Sequence, residues 1–372
     1  MKTIRFILLA LIAIVLSVSC IHQFPDENTP ARVDVTLTFN TEMPYFRTLR
    51  YPEETMAERV FEDDPENKPQ YFDAILPDWH TGVEKYRIRY VAEAYRVLSS
   101  GRVAQTPEQR YVGYDNDASQ WDDYTFSMYL KEGTYEIRVW ADYILADSEN
   151  DLYYNVAKFS GITINHQDGI HHGNTDYRDA HVGRARFENI RYGVNVEPVQ
   201  AYVNMYRPMG KYVFVTTDLE EFATKVLLNK YGRYDESLPA SKAPEFNIED
   251  YTLIIRCYQY LPTSFSMDTD QANNSKVNVQ FESTLKPIDD HHAIMGFDYV
   301  LASGNDKTTK VALEIILQDK DKTVLASNKN VFVHLKRNKM TLVEGSFLMQ
   351  DSDGGVSINP GFNGPDIIVP VY

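Results

Sequence analysis

Four histidines and three aspartates crowd into residues 164–183, INHQDGIHHGNTDYRDAHVG: His166, His171, His172 and His181 beside Asp168, Asp176 and Asp179. Imidazole and carboxylate form the donor set that zinc and similar ions take, so a loop-borne metal site is one reading. The spacings match no established ligand pattern, and a solvated polar loop accounts for the same composition. No metal or other cofactor is expected. His291 and His292, beside Asp289 and Asp290, read as a turn on the same grounds. Two acidic runs raise calcium: Asp147, Glu149 and Asp151 alternate in DSENDLYY, and Asp351 and Asp353 precede Gly354 in DSDGG. Calcium takes about six to eight oxygens, with a glycine at the tight bend and a bidentate glutamate at the end. The first run lacks the glycine and the second lacks the glutamate, so turn chemistry explains both more simply.

Nucleophilic chemistry fares no better. HExxH, a phosphate loop and a dinucleotide fingerprint are absent. GVSIN at 355–359 approaches a nucleophile elbow, but Asn359 stands where the second glycine must be, and no strand–turn–helix surrounds it. Cys257 shares strand parity with Tyr251, Leu253 and Ile255 in YTLIIRCYQY, which makes it a small buried hydrophobe. The expectation is a protein that is not an enzyme. Aromatic residues offer the alternative of glycan binding: Trp79, Trp121 and Trp140, set among 26 tyrosines, are able to stack on sugars. Packing is the competing reading, and Trp140 takes the opposite parity to Ile137 and Val139.

The elements that must carry these residues are strands. RVDVTLTF puts Val33, Val35, Leu37 and Phe39 on one face, and YRIRYVAEAYRV puts Tyr86, Ile88 and Tyr90 on one face with charges opposite. YTFSMYL and YEIRVWAD, separated by KEGT, read as a hairpin turning at Gly133. The acidic, proline-bearing stretch from Tyr45 to His80 reads as an exposed loop or insert. Asp218 and Glu221 have capping-box spacing ahead of Leu219, Phe222, Ala223 and Val226, and Gly232 supplies a stop, which predicts one short helix. Strand patterns resume from Tyr251. The pattern predicts an all-β chain of two β-sandwich domains, residues 31–200 with long loops and residues 201–372 with the helix.

The N-terminus explains where such a chain works. Lys2 and Arg5 precede an apolar run, Phe6 to Val18, that is too short to span a bilayer and ends at Ser19 and Cys20. Residues 1–19 read as a signal peptide and Cys20 as a lipidated first residue of the mature chain, followed by a linker to residue 30. An ordinary secreted protein with an incidental Cys20 is the alternative, since Ser17 and Ser19 also suit a conventional leader peptidase. Several acyl chains on one cysteine make a permanent membrane anchor. A formal charge of −16 makes nucleic acid a poor partner.

The start SCIHQFP, the segment TEMPYF after the first strand, and the later stretches VWADY, DLYYN, YRDAHVG, RPMGKYVFVTTDLEEF, GFDYVLASG and GGVSINPGF together resemble the fimbrillin-related lipoproteins of Bacteroidales. More narrowly the chain is similar to an uncharacterised two-domain lipoprotein family close to the minor fimbrial anchor subunits. That resemblance implies transthyretin-like β-sandwiches, an outer-membrane lipid anchor facing the surface or the periplasm, and fimbrial subunits as partners. It also implies assembly by strand complementation, in which one chain supplies a strand to a neighbour's sheet. Stalk subunits of this kind lose their first strand by cleavage after an arginine; Arg47 and Arg50 lie in the matching region, with solvated loop residues as the plainer reading. Anchor subunits keep both lipid and strand. The C-terminal DIIVPVY at 366–372 is a second candidate for exchange, or an ordinary edge strand limited by Pro370. His181 departs from the resemblance, standing where an aromatic is expected.

Overall fold

The computed structural model describes residues 29–51, 66, 68–69, 84–165, 170–189, 197–304 and 307–349. Ten strands come from its first part: β1 (Ala31–Phe39), β2 (Tyr45–Tyr51), β3 (Tyr86–Arg96), β4 (Gln109–Asp115), β5 (Tyr124–Leu130), β6 (Gly133–Leu145), β7 (Tyr154–Asn155), β8 (Ile162–Ile164), β9 (Ala180–Asn189) and β10 (Val199–Met205). The second part holds β11 (Met209–Thr216), helix α1 (Leu219–Tyr231), β12 (Tyr251–Cys257), β13 (Leu261–Ser266), β14 (Gln271–Lys276) and β15 (Val279–Thr284). It ends with β16 (Lys286–Pro287), β17 (Ala293–Leu301), β18 (Thr309–Asp319), β19 (Val324–Leu335) and β20 (Met340–Gly345). The fold is all-β with one α-helix among the described residues.

The first sandwich sets the sheet β10-β1-β5 against the sheet β4-β3-β6-β9. Alternation makes this possible: Val33, Val35 and Leu37 of β1 point inward with Phe126 and Met128 of β5 and Ala201 and Val203 of β10. Facing them are Ile88, Tyr90, Ile137 and Val139. Aromatic pairs stitch the two layers, with ring centroids 3.9 Å apart for Tyr90–Tyr124 and 4.2 Å for Tyr111–Phe126. The second sandwich sets β16-β17-β11-β20-β2 against β15-β12-β18-β19. Its core gathers Leu253, Ile255, Ile315, Val333 and the helix residues Leu219, Phe222 and Leu227.

A further sheet, β14-β13-β8-β7, draws two strands from each part of the chain. It covers the other face of β3 and β6, the face that carries the alternating charges. Trp140 is fully buried there against Tyr154 and Phe265, so the cover rather than the inner core holds it. The charges beneath that cover are paired: Arg89 grips Asp142 through two hydrogen bonds of 2.9 and 2.8 Å, and Arg138 holds Glu136 at 2.9 Å and Asp268. Buried charges persist only when partnered in this way.

Two local expectations change. The strands β5 and β6 do not form a hairpin; β5 pairs with β1, while β6 pairs with β3 and β9. The connection crosses between sheets because Gly133 adopts φ +152°, and the Asn189 side chain holds the crossing by donating to the carbonyls of Leu130 and Lys131 at 2.7 and 2.9 Å. Helix α1 begins after Asp218 and stops at Gly232, whose φ of +73° and N–H bond to Leu228 make a left-handed cap. The capping box is absent. The Asp218 carboxylate instead accepts from the Thr216 hydroxyl and from the backbone N–H groups of Leu348 and Met349, at 3.1 and 2.9 Å.

Residues 200 and 201, the expected division, fall inside β10, which lies parallel to β1. Strand β2 lies parallel to β20 as an edge of the second sandwich. A fragment comprising residues 201–372 therefore lacks β2 and everything the earlier chain contributes to the second sandwich. We expect it to give a collapsed amide proton spectrum where the whole chain gives a dispersed one; native-like dispersion from the fragment would contradict this interleaving.

Candidate functional site

The first described strand sits in the middle of its sheet. Along β1, Val33 to Phe39 pair with Val199 to Met205 in parallel, and Ala31 to Leu37 pair with Leu130 to Tyr124 in antiparallel register. Three consecutive inward side chains, Val33, Val35 and Leu37, have no exposure at all. Without β1 the neighbouring β10 and β5 would each show a bare backbone edge, separated by one strand's width. Its seat is thus a strand-shaped groove, filled here by the chain itself.

Arg47 and Arg50 follow in β2, not in the solvated loop that sequence suggests. They pair in register with Thr341 and Glu344. Arg50 is largely exposed and approaches the Glu344 carboxylate at 3.6 Å, an interaction of little energetic weight at a surface. A protease would meet both bonds as part of a hydrogen-bonded edge strand. Cys20, His166, Trp79 and DIIVPVY lie outside the described residues, as do Asp168, Asp351 and Asp353.

The remaining candidate histidines are not gathered round a common point. Among the described residues no group of three or more His, Cys, Asp or Glu side chains is placed to hold a metal ion. His171 is buried, with Nε2 2.7 Å from the Asp298 carboxylate and 2.9 Å from Nη1 of Arg178. Arg178 is itself almost fully buried and pairs with Asp298 while donating to the carbonyl of His172 at 3.1 Å. A histidine–carboxylate pair resembles half of a catalytic relay. Here the guanidinium crowds the same ring nitrogen as the carboxylate, and burial followed by the Arg178 charge lowers the His171 pKa. Arg178 also holds Asp298 below the usual carboxylate range, against the effect of burial.

This cluster is the core of a seam between the two sandwiches. Asn174, at φ +57°, takes the N–H of Phe297 on its side-chain oxygen at 2.8 Å and donates to the Ser283 hydroxyl at 2.7 Å. Lys211 reaches Asp176 at 2.6 Å across the ring of Phe297, and Arg207 holds Asp179 through Nε at 2.9 Å. Arg207 also donates to the carbonyl of Glu42 at 3.0 Å, tying the link between β1 and β2 to the same seam. Sequence reasoning missed these cations. The available signal was Asp298 in the otherwise apolar strand IMGFDYVLA, since a carboxylate in a strand buried on both faces demands a cationic partner.

His181 behaves as the aromatic expected at its position. Its ring packs at 4.5 Å from Trp121 and edge-on to Phe39 at 5.2 Å, with no exposed surface. Trp121 is closed in by the same cluster, so neither Trp121 nor Trp140 offers a face to a sugar. Asp151 of the first calcium candidate is taken by Arg89 at 2.7 Å. Cys257 is buried, and burial pushes its thiol up to about 12, which removes it as a nucleophile at neutral pH.

The architecture is that of an all-β protein of two sandwiches whose first strand seals the first of them. The chain belongs to the family of unknown function DUF6562, which matches residues 27–371. No curated protein matches it. Among solved structures, it is similar to the fimbrial anchor protein Mfa2 from Porphyromonas gingivalis, at 11% identity over 81% of this chain and 83% of that one, with a TM-score of 0.34. A candidate cell adhesion protein from Bacteroides eggerthii aligns at 9% identity over 93% and 97% of the two chains, with a TM-score of 0.41. A candidate polysaccharide-binding protein from Bacteroides thetaiotaomicron aligns at 11% identity over 81% and 80%, with a TM-score of 0.37.

Removing Arg178 leaves Asp298 as a buried charge without its principal partner. Arg178→Met should therefore cost about 3–5 kcal/mol in urea unfolding; a cost below about 1 kcal/mol would show the pair to be dispensable. Burial, and then the Arg207 charge, hold the His181 pKa well below its ordinary 6.5. The unfolded chain then takes up that proton at higher pH than the folded one, so stability is complete above pH 6.5 and falls as pH drops below it. Replacing the ring by an uncharged one should flatten that fall: His181→Phe should lose less stability than the parent between pH 6.5 and 5, read by melting temperature.

Proposed function

We propose that the chain is a non-enzymatic, lipid-anchored protein of the outer membrane that serves as a fimbrial anchor or accessory subunit. The observation that supports this most is the position of β1. A strand that begins 11 residues after Cys20 fills the middle of the first sandwich, so a lipid on Cys20 would tether the fold through a fully seated strand. An anchor needs that arrangement, because a subunit that surrendered β1 would lose its own attachment to the membrane. Partner subunits would be engaged by strand addition at the exposed sheet edges, where backbone hydrogen bonds supply affinity and alternate side chains supply selectivity. The acidic charge keeps such a protein away from anionic lipid surfaces except at its anchor.

Intact mass of the protein extracted from cell envelopes tests this. The expected species begins at Cys20, carries acyl chains and retains β1, and Cys20→Ala should move the protein out of the membrane fraction. A mature chain beginning after Arg47 or Arg50, or an unacylated Cys20, would overturn the anchor reading. Boiling-resistant complexes with a second β-rich subunit are expected on affinity purification.

A further inference from the structure

A cleft of about 290 Å³ opens at the seam, beside the buried ion pairs but separate from them. One wall is the first part of the chain, with Tyr153, His172 and Thr175; the other is the second sandwich, with Thr252 of β12 and Glu282 and Thr284 of β15. Its close approach of backbone to ring is built in: a Cβ on Gly173 would sit 2.4 Å from the Phe281 ring, so only glycine fits between the walls. Thr252 and Thr284 are direct partners across the β12–β15 ladder and present their hydroxyls on one face. The Thr252 hydroxyl oxygen is buried and makes no hydrogen bond among the described residues. Thr252 lines the cleft, and because a buried hydroxyl without a partner is costly, a group entering there would relieve that cost.

We propose that this cleft binds one neutral sugar residue, with the Thr252 hydroxyl hydrogen-bonded to a ring hydroxyl of the ligand. The lining favours that chemistry over the others. Hydroxyls and the imidazole of His172 supply donors and acceptors, and the edge-on rings of Tyr153 and His172, 6.1 Å apart, give a partly apolar wall suited to a pyranose. Burial and the Arg178 charge keep that imidazole below its ordinary pKa and uncharged at neutral pH. The one carboxylate among the described lining residues, Glu282, is largely exposed and turned toward Lys322 at 3.8 Å. Among the described residues no cation lines the cleft, so phosphates and acidic sugars would meet only Glu282 there and are disfavoured. The volume lies at the lower end of ligand pockets and suits one ring rather than an extended chain. Because the walls come from different parts of the chain, an occupied cleft would also clamp the seam. The site stands independently of the anchor reading.

The test is a titration of the detergent-solubilised full chain with neutral monosaccharides, glucose, galactose, mannose and N-acetylglucosamine, followed by saturation-transfer NMR and calorimetry. Thr252→Val keeps the shape and removes the hydroxyl. It should weaken binding of the preferred sugar about tenfold while leaving the melting temperature unchanged or raised, since the lost hydroxyl had no partner within the fold. Thr284→Val provides a second variant with the same readouts. Glu282→Gln should leave neutral-sugar binding intact. Absence of saturable binding by all four sugars would overturn the proposal, as would binding undiminished in Thr252→Val. Glucosamine is titrated alongside them: a preference for it that vanishes in Glu282→Gln would show an ammonium site instead, and a lowered melting temperature in Thr252→Val would show a structural hydroxyl.

Discussion

The two sandwiches depend on one buried contact, the pairing of Arg178 with Asp298. Both groups are stripped of water, and removing two charges from water costs several kcal/mol per ion before their attraction and hydrogen bonds return it. His171, the carbonyl of His172 and the N–H of Tyr299 complete the shell around them. Such a pair adds little to stability compared with apolar side chains of the same volume. It does impose geometry, because the short helical turn at Asp176–Arg178 can dock against β17 only where the carboxylate stands. Arg207 with Asp179 repeats the arrangement, while the buried Lys211 pairs with an Asp176 carboxylate that stays exposed.

That geometry constrains the order in which the chain can fold. Strand β1 meets β10 across some 166 residues of sequence, β2 meets β20 across nearly 300, and β8 meets β13 across about 100. Contacts at such separations require long loops to close before any reward is gained, so slow, late-committing folding is expected of this topology. The second sandwich is not complete until β2 and β20, from opposite ends of the described chain, are both in place. The seam then ties the link between β1 and β2, through Arg207, to Asp179 immediately before β9.

Much of the strand content was legible because alternation reports a half-buried face directly. Val33, Val35 and Leu37, or Leu253, Ile255 and Cys257, announce both the strand and its inner side. What alternation cannot show is the neighbour. The hairpin expected around Gly133 does not form because β5 finds its partner in β1 and β6 finds its partners in β3 and β9, all distant from the connection in sequence. The helix was located correctly from its apolar spacing and Gly232, while its cap was misread because Asp218 serves the chain at Leu348 and Met349. The histidine-rich stretch looked like a polar loop because its partners, Asp298 and Phe297, lie far away in sequence. His171, Asn174, Arg178 and Asp179 are buried for that reason, while His172 and Asp176 stay exposed, and composition alone does not separate them.

The seating of β1 has a mechanical meaning. Force applied at a membrane tether would enter β1 at its N-terminal end and run along the axis of a strand that is hydrogen-bonded on both flanks. Seven residue pairs on each side then bear the load together, in shear, instead of parting one after another as an edge strand peeled from its end would do. Such a joint resists pulling through its whole length at once. Its lifetime under tension is set by the barrier to extracting Val33, Val35 and Leu37 together from the core, a kinetic quantity distinct from equilibrium stability.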